Sequence, residues 1–322
     1  RKHRVERIFN ETALEWVRKW AGPRVFEVIW RPMLEGKFGQ EYYARVNMAW
    51  LWARLHARSQ RLGTFVGGFQ RFLALLAERV QTQGATVRLN TPVQAVRPRP
   101  GGLTLTLPEG DADFDACIAT TSPALLARLA PDLPADYRGK LLALHSMGAV
   151  VLVLALDRQL TQRYYWHNLP KEAGFPFLAL VEHTHFIPPE HYGGDHIVYC
   201  GDYLLPDHEY FRLSKEELLA RFLPALKRFN PAFAPEWVKD SWLFRTPYAQ
   251  PVPLLDHSRA IPAVVTPIPG LYLASMSQVY PWDRGTNYAV ELGRKVAKEV
   301  LREIIQQVPI ELTAAAPKPR GS

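Results

Sequence analysis

Apolar positions near the start of the chain recur at helical spacing. Phe9, Ala13, Trp16, Val17 and Trp20 fall on one face of a helix that Gly22-Pro23 breaks. A second helix over 24–34 carries Phe26, Ile29, Trp30 and Met33, and Gly36 and Gly39 end it. A third holds Met48, Leu51, Trp52 and Leu55. So many aromatic side chains in 60 residues predict a buried helical layer. A fourth helix over 69–83 puts Phe72, Leu73, Leu76 and Val80 on one face and ends on Gly84.

The period then shortens to that of strands. The stretch 86–89 reads as a strand and 90–93 as its turn. Strands over 103–107 and 115–119 lie among Pro98, Pro100, Gly101, Gly102, Pro108 and Gly110, which is the turn chemistry of a small antiparallel meander. Ser122-Pro123 has the grammar of a helix start and opens a helix over 124–129. The run 147–156 is apolar throughout and predicts a strand buried on both faces. Further strands read over 177–182, 197–203 and 238–244. A helix over 214–229 begins with the capping box of Ser214 and Glu217. Last come a short strand over 270–275, a loop to Arg284 and a long helix from Gly285 to about Gln307.

Composition narrows the class. The chain has 322 residues, 48% hydrophobic and 22% charged, as a globular protein does. Its longest strongly apolar run, 149–156, falls far short of the roughly 20 residues of a spanning helix. No transmembrane span is expected, although peripheral membrane contact is compatible. Two cysteines, Cys117 and Cys200, have no metal-ligand or disulfide-framework spacing, which points to a cytoplasmic setting. Lys and Arg number 39 against 31 Asp and Glu, a net charge of +8. The cations are scattered, with only Arg1 to Arg4 and Arg97-Pro98-Arg99 dense, and no nucleic-acid-binding motif accompanies them. An anionic small molecule or membrane surface suits that excess better than nucleic acid. Residues 308–322 are a low-complexity tail outside the fold.

Candidate chemistry gathers near the C-terminal helix. A helix start offers unpaired amides and a partial positive charge, and Gly285 lets a flat ligand approach the backbone. His183 and His185 stand two apart, on one face of a strand, with Glu182 beside them. No helical metal-ligand pattern exists, and no metal is expected. His183 is a candidate cavity residue, as are Tyr248 and Gln250 at a Pro-bounded strand end. No nucleophile or acid–base residue can be named. Cys117 belongs to the core.

The run from Gly270 to Val290, which reads GLYLASMSQVYPWDRGTNYAV, resembles the C-terminal flavin motif of FAD-dependent oxidoreductases. These include amine oxidases, protoporphyrinogen oxidases and phytoene desaturases. Gly67-Gly68-Phe69-Gln70, followed by a helix and by 87–93, is similar to that superfamily's second conserved block. The stretch 117–123 is similar to the third. The resemblance implies that backbone at Val93 meets the adenosine end of FAD and that Gly67 and Gly68 pass close to the flavin ring. It implies that Gly285, Thr286 and Asn287 aim helix amides at the ring's electron-rich edge, with Asp283 and Arg284 as further contacts. Ser275 and Met276 stand where the family has Gly and an acidic residue, near the pyrophosphate and ribityl chain. The amine-oxidase lysine has no counterpart on the strand 148–156. The Gly-x-Gly-x-x-Gly fingerprint that such proteins carry near their N-terminus is absent from the chain.

The expected fold is therefore α/β (α+β): an FAD/NAD(P)-binding-like domain, incomplete at its N-terminus, with a substrate domain of mixed sheet and helices. Residues 64–135 and 262–307 belong to the first, and 1–63 and 136–261 to the second. The expected function is hydride transfer from a small anionic or apolar organic substrate to FAD, in the manner of a desaturase or porphyrinogen oxidase. The missing N-terminal segment is an expected partner. Two alternatives stand beside it: a flavin-dependent sugar-nucleotide mutase, and a non-catalytic binding module with an incomplete FAD site.

Overall fold

The structure, a computed structural model, describes residues 10–56, 61, 63–282 and 284–307. Arg1 to Arg4, Asp283 and the tail after Gln307 lie outside the described residues. Helices and sheets are mixed, and among the described residues no helix is long and apolar enough to cross a membrane.

The first helix, α1 (Ala13–Ala21), starts on a reciprocal cap. Glu15 N donates to Thr12 Oγ1 at 3.1 Å, and Glu15 Oε2 accepts from Thr12 N at 3.1 Å. It stops where Gly22 takes φ 85°. After a π-helical turn at Phe26–Trp30, α2 (Arg31–Tyr42) runs through Gly36, where the sequence pattern predicts an end. The reason is packing: a Cβ on Gly36 would stand 2.6 Å from Leu178 Cδ1, so glycine brings this helix down onto the sheet. Gly39 does break the geometry, with φ 67° and ψ 171°, and kinks the helix there. With α3 (Met48–His56), these helices bury Ala13, Val17, Phe26, Phe38, Met48 and Leu51 in one cluster, which Met147 and Val252 join from the sheet.

That sheet has five antiparallel strands in the order β6-β7-β8-β5-β9. They are β5 (Ser146–Leu156), β6 (Trp166–Asn168), β7 (Ala179–Glu182), β8 (His196–Leu204) and β9 (Val238–Pro251). Even-numbered residues of β5, from Val150 to Leu156, share one face with Val198 and Cys200. Leu218, Phe222 and Leu226 of the Ser214-capped helix α6 (Lys215–Leu226) cover that face. On the other face Met147 joins the helical cluster, and Val153 and Ala155 pack with Ile197, Tyr192 and Tyr199. The expectation of a strand covered on both faces therefore holds, with different neighbours on each. Strand β9 runs well past the expected end at Phe244. Its register slips between Met147 and Ala149, so that Ala149 pairs with Thr246 but Met147 with Gln250. The bulge leaves Tyr248 outside the ladder and re-aims it. Gly148 sits at the bulge, where a Cβ would stand 2.9 Å from Thr246 O.

The rest of the chain is more open. Strands β1 (Ala95–Arg99), β2 (Gly102–Leu107) and β3 (Gly110–Phe114) form an antiparallel meander, to which the expected strand over 103–107 belongs but the one over 115–119 does not. Strands β4 (Cys117–Ala119) and β10 (Leu271–Leu273) pair in parallel, Ala119 opposite Leu273. Helix α5 (Pro123–Leu129) is capped by Ser122 Oγ, which accepts from Leu125 N at 3.2 Å. The short helix Ala135–Leu142 is an element the periodicity does not reveal. The C-terminal helix α7 (Thr286–Gln307) lays Val296 and Val300 on Tyr272. Helix α4 (Gly68–Thr82) buries no residue: Phe69 and Leu73 are 52% exposed and Leu76 47%. The predicted strand at 86–89 does not form, and Leu89 is 79% exposed. A strand needs a neighbour to take its backbone hydrogen bonds, and the described residues provide none there.

Candidate functional site

Between α2 and the sheet lies a cavity of about 840 Å³, well within the range of small-molecule sites. Ala149, Val151, Val181 and Gly201 form its floor, and Ile29, Met33 and Gly36 its roof. Tyr165, Trp166, Tyr199 and Tyr203 supply aromatic wall, and Lys37, Arg54 and Arg284 bring positive charge.

His183 lines this cavity, but not from a strand. It lies in a 3-10 turn, His183–His185, which sends the two imidazoles to different neighbours. His183 Nε2 is hydrogen-bonded to Tyr192 Oη at 2.7 Å, and burial lowers its pKa. His185 turns instead to Thr161 and to the fully buried Glu182. Glu182 accepts from Leu160 N at 2.9 Å and Thr161 N at 2.7 Å, and also from the Thr161 hydroxyl. This carboxylate ties the loop after β5 to β7. No cluster of three or more His, Cys, Asp or Glu suited to a metal occurs among the described residues.

Arg284 links the large cavity to a second one of about 20 Å³, lined also by Trp50, Gln250, Ser277 and Trp282. The Arg284 guanidinium donates to Gln250 Oε1 and to Tyr203 Oη. Trp50 Nε1 is buried with no hydrogen-bond partner among the described residues, in a residue only 5% exposed. Such a donor carries a desolvation cost unless a ligand acceptor reaches it.

Beside this lies a hydroxyl network. Tyr248, released by the β9 bulge, shares hydrogen bonds with Ser275 Oγ at 2.8 Å and Ser277 Oγ at 2.6 Å. Ser277 N donates to Tyr248 Oη at 3.1 Å. Ser275 thus caps its own turn, Met276–Gln278, and is 3% exposed. Burial pushes the nearby His257 down to about 4 and raises Tyr248. At Gly285, which accepts from Ala289 N, the first amides of α7 lie outside the helix's own ladder.

The structure thus brings Ser275, Met276, Tyr248, Gln250, Arg284 and Gly285 into one neighbourhood, with His183 across the large cavity. Asp283 lies outside the described residues. Gly67 and Gly68 take φ 79° and 76° at the start of α4, and among the described residues no hydrogen bond joins them to the 275–287 loop. Val93 packs beside the cluster of the meander and α5. Pattern reading missed Lys37, Trp50, Arg54, Tyr199 and Tyr203. Alternation of Tyr199, Gly201 and Tyr203 on one face of β8 was the available signal.

Residues 1–301 match the model of the flavin containing amine oxidoreductase family. The chain belongs to that family. Its cofactor is accordingly FAD. Solved structures of similar fold include one assigned as a protoporphyrinogen oxidase from Exiguobacterium sp. 255-15. It has a TM-score of 0.71 and 17% identity, over 91% of this chain and 67% of that one. An oxidoreductase from Methanosarcina mazei has 0.60 and 18%, over 82% and 62%. A UDP-galactopyranose mutase has 0.58 and 13%, over 78% and 57%. The chain spans between about half and two-thirds of the length of these last two and 67% of the first. No curated protein matches it.

The residues present fit the ring end of the family's FAD. Helix amides at Gly285, an arginine and an orphaned indole N–H all offer donors to a group rich in acceptors. The pyrophosphate end has no fingerprint glycines in this chain.

Proposed function

We propose that this chain supplies the substrate cavity and the flavin-ring end of an FAD-dependent oxidoreductase of the desaturase or porphyrinogen-oxidase kind. The observation that carries the reading is Arg284, which lines both the large apolar cavity and the small one beside the helix start. Bound FAD would supply the hydride acceptor. Gly285, Thr286 and Asn287 would hold its ring edge, with Ser275 and Met276 toward the ribityl chain. The apolar walls exclude water, and His183, neutral and held by Tyr192, orients a polar group of the substrate. Strand β5 carries no lysine, which argues against strict amine-oxidase chemistry.

Residues 64–135 and 262–307 would form the FAD-side domain, and the remainder up to 261 the substrate domain. A unit bearing Gly-x-Gly-x-x-Gly would complete the nucleotide site by covering the apolar face of α4 and adding to β4. Support comes from the exposure of Phe69, Leu73 and Leu76, because parallel sheets are stable only when covered on both faces. Visible flavin absorbance in the purified natural protein tests the reading. A natural protein that stays colourless and takes up no added FAD would sink it.

The cations of the cavity favour a second reading, a flavin-dependent sugar-nucleotide mutase. Turnover without net oxidation of substrate would distinguish it.

A further inference from the structure

The mouth of the large cavity is built from apolar side chains that stand in solvent. Val28, Ile29, Met33 and Trp166 all line the cavity, yet they are 68%, 51%, 50% and 53% exposed. The helical arm before α2 explains the combination. In the π-helical turn Phe26–Trp30, Phe26 points inward and is fully buried. Val28 and Ile29, two and three positions on, therefore point away from the helical cluster. With Val25 and Met33, both exposed, they form a stripe that runs from the cavity roof out past its rim. At the inner end Gly36 is packed against Leu178, while the outer end stays bare. The sheet contributes Trp166, which pairs across strands with Val181 of the cavity floor. Contiguous exposed apolar surface of this kind marks an interaction site.

Positive charge gathers around the same rim. The arm carries Arg18, Lys19, Arg24 and Arg31 against one acid, Glu27. Glu27 is held by Arg18 at 2.6 Å and by Arg31 at 2.7 Å, and the buried Glu35 faces Arg31 at 3.3 Å. Arg31 also reaches Glu172 at 3.7 Å, which brings the segment 163–173 beside the arm. That segment adds Arg163 and Lys171. Six cations therefore stand against three acids, all of which Arg31 engages. Two of the cations lie over exposed aromatic rings, Lys19 Nζ 5.6 Å from Trp20 and Arg163 5.4 Å from Tyr164. An apolar rim flanked by cations and exposed rings is the pattern of a surface that sits in the headgroup layer of a bilayer.

We propose that this rim docks on an anionic lipid bilayer, with Val28, Ile29, Met33 and Trp166 at the acyl boundary and the cavity opening toward it. Attraction of the flanking cations to anionic headgroups supplies the charge complementarity. A protein cover over the rim would cap the mouth, whereas lipid leaves an apolar path from the rim to Val151 and Val181 on the floor. The proposal stands apart from the flavin reading, because it needs neither bound FAD nor a particular substrate.

Vesicle flotation tests it. The purified chain is mixed with vesicles of phosphatidylcholine alone, or of phosphatidylcholine with phosphatidylglycerol. It is expected to float with the mixed vesicles and to bind the neutral ones roughly tenfold or more weakly. Added salt should remove most of that difference. Val25→Glu/Val28→Glu should weaken binding to the mixed vesicles by roughly tenfold or more, by placing charge where the rim meets the acyl chains. Lys19→Glu/Arg24→Glu should lower it to the level of neutral vesicles. Leu73→Glu, on the other exposed apolar helix, α4, should leave binding unchanged, and circular dichroism checks that each variant folds. Lipids with brominated tails should quench Trp166, read as the difference in fluorescence between the chain and Trp166→Phe. No flotation, equal binding to both vesicles at low salt, flotation that survives Val25→Glu/Val28→Glu, or an unquenched Trp166 would overturn the proposal. So would flotation that Leu73→Glu removes, which would move the contact to α4. Sedimentation equilibrium covers the remaining occupant: a dimer that Val25→Glu/Val28→Glu dissociates, without flotation, would assign the rim to a second copy of the chain and overturn the proposal.

Discussion

Strand β5 and helix α4 both carry apolar side chains, yet among the described residues only the first is covered. Leu152 and Leu154 of β5 are fully buried beneath Phe222, whereas Ile118 of β4 is 39% exposed and α4 buries nothing. Apolar sequence alone does not create a core. A strand or helix becomes stable when a second layer covers it, and among the described residues one region has that layer and the other does not. The folding free energy of this chain should therefore reside in the sheet and the helical layer.

The largest expected effect tests that division directly. Phe222→Ala should cost about 3–5 kcal/mol, and Leu73→Ala less than about 0.5 kcal/mol, in urea unfolding. Equal costs would mean that the exposed helix is packed after all.

Two buried titratable groups give opposing pH slopes. Burial raises Asp202 to about 7, so its contribution is present below the unfolded pKa near 3.8 and is lost as pH rises toward 7. Burial lowers His257 to about 4, so its contribution is present above 6.5 and is lost as pH falls toward 4. The shifts correspond to about 4 kcal/mol for Asp202 and about 3 kcal/mol for His257 across their windows. In Tm measured against pH, Asp202→Asn should remove the loss on the rising side and His257→Gln the loss on the falling side.

Glu182→Gln should cost about 2 kcal/mol, because the Leu160 and Thr161 amides lose a charged acceptor. The smallest effects compare the two regions through their helix caps. Ser214→Ala and Ser122→Ala should each cost about 1 kcal/mol. A much smaller cost at Ser122 would place α5 in a part of the molecule that unfolds first, which hydrogen exchange would show.

Much of the fold was legible along the chain. The capping boxes at Ser214 and the Ser122-Pro123 start announce themselves because a cap needs only residues within one turn. Strand β5 was legible because ten consecutive apolar residues admit few other readings. The strand at 86–89 was misread, since its residues have strand character but its partner is not among the described residues. Gly36 was misread because glycine also serves close packing, and Leu178 lies far along the chain. Within the candidate site, the C-terminal loop was legible from its motif. Lys37, Arg54 and Trp50 were not, because a cation on an amphipathic helix reads as solvated surface until a sheet is placed opposite it.

The sequence by itself determined the types of most elements, their caps, the flavin motif of the C-terminal strand and helix, the missing fingerprint and the absence of a lysine on β5. These are local properties, set by neighbours a few residues apart. Only the tertiary structure decided which side chains share a cavity. The β9 bulge turned Tyr248 toward Ser275, the glycine at 36 let α2 settle on the sheet, and that settling brought Lys37 and Trp50 to Tyr203 and Arg284. Register and packing between distant segments fix such meetings, because burial acts on whichever surfaces touch and not on their order along the chain.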